Sequence, residues 1–191
     1  MGVSGRRLGP MSTIRLVAVA TLIAAAGACS PAPTEPTGEP VVLTGRDAGF
    51  VLTLRIGSNV VDAGAPIDAS AQLTWEGAAP KAAIWGSGGG PVAFGLKQLD
   101  GPIELGPAMT GDCAQHDFAR LMPVEIPYKK SGGWSADDPN AEFYRTFFAD
   151  PLLRLPSGSW RLDASVSGFL VPCEADAPTV DITLATELLV R

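Results

Sequence analysis

The chain has one histidine, His116, set between Asp112 and Asp117, and acid–base chemistry would have to start there. Ser-His-Asp sets assemble in space rather than in sequence, so His116 could serve as the base of a hydrolase. A lone histidine among acids in a polar loop is otherwise a solvated surface residue, and that is the expectation. Cys113-Ala114-Gln115-His116 places a thiol near the imidazole, as a metal site would. A stable zinc site needs three or four ligands, which these residues do not supply. Trp85-Gly86-Ser87-Gly88-Gly89-Gly90 has the glycine content of a phosphate loop but lacks Gly-Lys-Ser/Thr and a following helix. It also misses the G-x-S-x-G nucleophile spacing, so a flexible hairpin loop before a strand at Val92 is expected. Asp137, Asp138, Asn140 and Glu142 offer oxygen ligands for calcium, without the spaced loop and central glycine of an EF-hand. Helix capping accounts for them equally well. No catalytic residue, metal or cofactor is assigned, and the chain is read as non-enzymatic.

Aromatic residues give the better clue. Trp134, Phe143, Tyr144, Phe147 and Phe148 crowd one segment, just after Tyr128-Lys129-Lys130-Ser131-Gly132-Gly133. Aromatics beside a cationic, glycine-rich loop can form a recognition surface for a protein or a glycan. The structural alternative is a helical plug sealing one open side of the fold, with both lysines solvated. If Phe143 and Phe147 pack inward, Tyr144 and Phe148 lie about 100° round the helix and are partly exposed. Lys129, Lys130, Trp134, Tyr144 and Phe148 are therefore the candidate partner-binding residues.

The N-terminal stretch determines where such a surface would work. Arg6, Arg7 and Arg15 precede an uncharged, apolar run from Leu16 to Ala28. A basic opening followed by an apolar region is the layout of an export signal, and the run is too short for a membrane span. Ala26-Gly27-Ala28-Cys29 resembles the lipobox of bacterial lipoproteins, with Ala26 where Leu is usual. The resemblance implies a signal peptide over residues 1–28 and a diacylglyceryl group on the Cys29 thiol. It also implies a cell-membrane location facing the extracytoplasmic side. An ordinary secretory signal with an incidental cysteine is the alternative. Ser30 to Pro40, SPAPTEPTGEP, is proline-rich and lacks an apolar cluster, so residues 29–40 form a disordered, extended tether. At about 3.1 Å per residue the stretch after Cys29 reaches roughly 34 Å.

With Cys29 given to lipid, Cys113 and Cys173 remain as one pair. An oxidising compartment permits their disulfide, which the loop-entropy model credits with roughly 4 kcal/mol. The formal net charge is −6, and the mature part is more acidic still because the signal holds three arginines and no acid. That excludes nucleic acid as a partner, since its binding rests on cationic side chains. The partners expected are the membrane, through the N-terminal lipid, and an envelope protein or glycan.

Residues 41–191 suit one domain. Glycine and proline number 22 and 17 while 46% of the chain is hydrophobic, which reads as many turns between short strands. Phe50, Leu52, Leu54 and Ile56 alternate with less apolar residues, as do Ile67, Ala69, Ala71, Leu73 and Trp75. Further strands are expected at Lys81 to Trp85, Val92 to Leu99, Ile103 to Leu105, Phe118 to Ile126, Trp160 to Val166 and Val180 to Val190. Asp138-Pro139 starts a short helix that Asp150-Pro151 ends, about Pro139 to Ala149. The turns Asp62-Ala63-Gly64-Ala65-Pro66 and Leu155-Pro156-Ser157-Gly158-Ser159-Trp160 resemble those of bacterial immunoglobulin-like domains, with Trp160 in place of a usual Tyr. The resemblance implies an all-β, antiparallel immunoglobulin-like β-sandwich with one inserted helix, and it brings no functional residue. The expected function is a lipid-anchored binding or protein-interaction module. A structural accessory domain of an envelope complex, or an exported hydrolase using His116, are the alternatives.

Overall fold

The computed structural model describes residues 36–191 except residue 175. Cys29, the signal segment and most of the tether lie outside the described residues. The strands in chain order are β1 (Val41–Asp47), β2 (Phe50–Ile56), β3 (Val60–Val61), β4 (Ala69–Trp75), β5 (Lys81–Gly86) and β6 (Ala93–Gln98). There follow β7 (Glu104–Leu105), β8 (Ala114–Ala119), β9 (Val124–Pro127), helix α1 (Ala141–Ala149), β10 (Gly158–Phe169) and β11 (Thr179–Val190). One sheet has the order β1-β2-β4-β9; the other has the order β3-β11-β10-β5-β8, with β6 pairing both β10 and β7. The chain is thus mostly β, its two sheets packed as a sandwich.

Period-two alternation makes the core. Trp160, Leu162, Ala164 and Val166 of β10 and Val180, Ile182, Leu184, Leu188 and Val190 of β11 are buried from one sheet. Phe50, Leu52, Leu54 and Ile56 of β2 with Ala69, Ala71 and Leu73 of β4 are buried from the other. Successive strand residues face opposite sides, so each strand gives the core every second side chain. Burying such a residue stabilises by about 1.5–3 kcal/mol relative to leaving it wet.

The backbone departs from the sequence expectations in four places. β1 was not expected, because Gly45 interrupts its apolar alternation. The glycine lies on the packed side, where an added Cβ would stand 2.8 Å from Ile182. β1 turns into β2 through Ala48 and Gly49, both at positive φ (47° and 85°), as a two-residue type I′ hairpin requires. Phe118 to Ile126, expected as one strand, divides into β8 and β9 in opposite sheets. Leu121 takes a positive φ of 60°, its N–H donates to the Trp75 carbonyl, and Pro123 has no N–H to continue a ladder. The glycine loop is not a hairpin, because β5 and β6 run the same way, both antiparallel to β10. Trp85 faces Phe169 and Ala93 faces Ser165, so residues 87–92 are an excursion within one interrupted strand. Finally, α1 begins at Ala141, with Asn140 as its N-cap and no side-chain cap. Asp138 Oδ1 instead accepts from the Asn140 N–H, a turn made before the helix starts.

Cys113, just ahead of β8, is bonded to Cys173 in the β10–β11 hairpin loop, with a Cα–Cα distance of 6.0 Å. The bond ties the segment after β7 to the longest hairpin. Replacing both cysteines by serine should lower the unfolding free energy by about 2–4 kcal/mol in urea denaturation. An unchanged midpoint would contradict the clamp, as would free thiols at both positions in an unreduced peptide map.

Candidate functional site

The structure places the hydrolase candidate first. His116 lies on β8 opposite Ile84, and its Nε2 is 2.8 Å from the Ser87 backbone carbonyl. A carbonyl only accepts, so Nε2 carries the proton. Ser87 is buried, and its Oγ bonds to Thr110 rather than to the imidazole. Thr110 Oγ1 in turn donates to Asp112 Oδ1 at 2.6 Å. The Gly88 N–H reaches the same carboxylate at 2.8 Å, and the Thr110 N–H donates to Ser87 Oγ at 3.0 Å. The Thr110 hydroxyl, then the Gly88 amide, hold the Asp112 carboxyl below its ordinary pKa. Serine, acid and histidine are therefore neighbours, but each is spent on pinning the glycine loop to the segment before β8. Among the described residues no hydroxyl or thiol hydrogen-bonds His116, and no cluster of three or more His, Cys, Asp or Glu could hold a metal.

The aromatic segment is more productive. α1 is amphipathic, and it buries Tyr144 and Phe147, three positions apart on one face. Phe143 is half-buried, stacked on Phe147 (5.5 Å, 22°) and on the fully buried Trp160 (6.1 Å, 24°). Trp160 is itself fixed by its indole N–H, which donates to the Pro156 carbonyl at 3.1 Å. Lys130 reaches the C-terminal end of α1. Its ammonium donates to the carbonyls of Phe147 and Asp150 and lies 4.0 Å from the Phe147 ring centroid. A cation on the last carbonyls of a helix satisfies acceptors that have no intrahelical donor and complements the helix dipole. Burial pulls the Lys130 ammonium's pKa down, against the pull of Asp150. Arg154 completes the corner, reaching the Asp150 carboxylate at 3.3 Å and the Gly64 carbonyl at 2.5 Å.

These groups surround a cleft of about 410 Å³, within the usual range for ligand sites. Phe143 and Phe147 line it together with Lys130, Glu142, Thr146, Asp150 and Arg154. An aromatic surface edged by donors and acceptors suits the apolar face of a sugar ring or an aromatic side chain of another protein.

The five candidate partner residues do not form one surface. Tyr144 is only 6% exposed, which corrects its expected exposure: it joins Phe147 in the core, while Phe143 packs against that core half-buried. Lys130 is not a solvated cation but the C-terminal clasp of α1. Trp134 is 37% exposed, with the Arg145 guanidinium 5.8 Å from its ring. Phe148 is half-buried and meets Phe147 edge-on at 5.4 Å. Lys129 is exposed and lines a separate cavity. Arg154 and Thr146 were missed, because nothing in their local sequence marks a polar residue as the rim of a cleft.

No family model, curated protein or solved structure matches the chain. The burial pattern separates two roles by mutation. Tyr144→Ala should cost about 3–5 kcal/mol of stability, as a core aromatic does, and Lys130→Met about 1 kcal/mol through loss of the helix clasp. Trp134→Ala should cost under about 0.5 kcal/mol. Equal losses for Tyr144 and Trp134 in thermal unfolding would contradict this assignment.

Proposed function

We infer that the chain is a lipid-anchored, extracytoplasmic binding module, non-catalytic, with the cleft beside α1 as its contact site. The anchor rests on the lipobox-like residues ending at Cys29. The immunoglobulin-like reading draws support from connectivity. β4 lies in one sheet, β5 to β8 in the other, β9 returns to the first, and β10 and β11 close the second. The first sheet's β2 leads through Asn59 into β3, which runs parallel to the last strand, β11. The two turns that carry the resemblance also meet in space: the Gly64 N–H donates to the Leu155 carbonyl at 2.9 Å.

The observation that carries the binding reading is the aromatic wall of the α1 cleft, prepositioned by Trp160 on the sandwich. Pre-organised sites lose little ordering entropy on binding. The ligand classes that fit are an envelope glycan or an aromatic-bearing segment of an envelope protein. A scaffold role has one feature in its favour: Leu121 and Met122, where the chain crosses between sheets, are 58% and 62% exposed.

Two variants test the reading on the full chain expressed in a cell envelope. Cys29→Ala should move the protein from the membrane pellet to the soluble exported fraction. Retention in the pellet after a carbonate wash would contradict the anchor. For the cleft, Thr146→Trp fills it from an exposed position on α1 without removing a core side chain. Titrated with purified envelope glycan fragments and detergent-solubilised envelope proteins, wild type should retain a ligand that Thr146→Trp binds at least about tenfold more weakly at unchanged thermal midpoint. Equal retention would overturn the assignment.

A further inference from the structure

A second cavity lies away from α1. It holds about 310 Å³ and is walled by Val92 and Phe94 of the β6 region, Met109 of the segment between β7 and β8, and Ile126, Tyr128 and Lys129. The walls come from residues more than 30 positions apart, so no local motif marks it. Phe94 and Tyr128 meet with ring centroids 5.1 Å apart, and the Tyr128 N–H is fixed by the Ala69 carbonyl at 3.0 Å.

Its chemistry differs from that of the rest of the molecule. The chain has 20 acidic residues, yet among the described residues no acid lines this cavity, and the one charged residue that does is Lys129. The Tyr128 side chain is half-buried and its phenol makes no hydrogen bond among the described residues; desolvation pushes its pKa up. With no such partner, its hydroxyl is free to donate to a guest. Met109 and Ser87 also line an adjacent space of about 280 Å³ whose lining has no charged side chain. Apolar room therefore continues past Met109, a side chain soft enough to shift around a guest.

We propose that this cavity binds a small amphiphilic carboxylate, its apolar tail between Phe94 and Ile126 towards Met109 and its head at Tyr128 and Lys129. The lone cation selects an anion, the phenol O–H supplies a donor to it, and the apolar walls take an unbranched chain. This site is independent of the α1 cleft, since Lys129 and Met109 do not line that cleft.

The test uses the mature domain and two probes of equal chain length, octanoate and 1-octanol, followed by calorimetry. Octanoate should bind saturably at one site. Lys129→Gln should weaken octanoate by about three- to tenfold while changing octanol less than about twofold. Met109→Trp, which fills the wall between the two spaces, should weaken both probes, and Thr146→Trp should weaken neither. If Met109→Trp fails to fold, the octanoate-to-octanol ratio in Lys129→Gln decides alone, because that residue is exposed. No saturable octanoate binding, or a ratio unchanged in Lys129→Gln, overturns the proposal. Loss of octanoate in Thr146→Trp would also overturn it, by moving the site to the α1 cleft.

Discussion

The contact on which the candidate site depends is the stack of Phe143 on Trp160. Trp160 stands at the start of the longest hairpin, fully buried, with its indole N–H held by the Pro156 carbonyl. It therefore belongs to the rigid sandwich. Phe143 lies on it with an interplanar angle of 24° and stacks on Phe147 at 22°. A helix of nine residues has no stability of its own in water. Its order comes from this aromatic column and from the Lys130 clasp at its end. Phe143, Phe147 and Lys130, which order the helix, also line the cleft, so helix docking and site formation are one event.

The polar cluster around the glycine loop follows a different logic. Ser87, Thr110, Asp112 and His116 read in sequence like scattered hydrolase parts, and the fold does bring them together. Their hydrogen bonds run to backbone groups and to one another, closing an excursion within an interrupted strand. A Cβ on Gly88 would stand 2.1 Å from an Asp112 oxygen, so a larger residue there would displace the carboxylate that pins the loop. With Cys113 bonded to Cys173, the segment from Thr110 to Cys113 is held at two points. That segment is joined directly to Met109, which separates the two apolar cavities.

Much of the fold is legible in the sequence wherever one face of a strand is buried. The long alternations of β2, β4, β10 and β11 mark their inward residues directly, and setting the lipobox-like Cys29 apart leaves the pair that the fold brings together. What is not legible is set by contacts distant in sequence. Gly45 breaks an apolar pattern because Ile182 takes up its space. Leu121 changes sheets under the pull of the Trp75 carbonyl. The rotation of α1 could not be read from Phe143, Tyr144, Phe147 and Phe148 alone, since any adjacent pair of aromatics could face the core. Trp160 and Lys130 decide it. The same holds for the candidate sites: sequence picks out the aromatic segment, but Arg154, Thr146 and Met109 join a site only through tertiary approach.

Native-state amide hydrogen exchange tests the central claim, that α1 is ordered only as part of the sandwich. The N–H groups of Tyr144 and Asp150, bonded to the carbonyls of Asn140 and Thr146, should exchange in wild type with the protection of a core-docked helix. In Trp160→Phe, a variant that keeps a ring but loses the indole N–H and half the stacking surface, α1 protection should fall well before that of β11. Protection of α1 that is weak in wild type, or unchanged in the variant, would contradict the account.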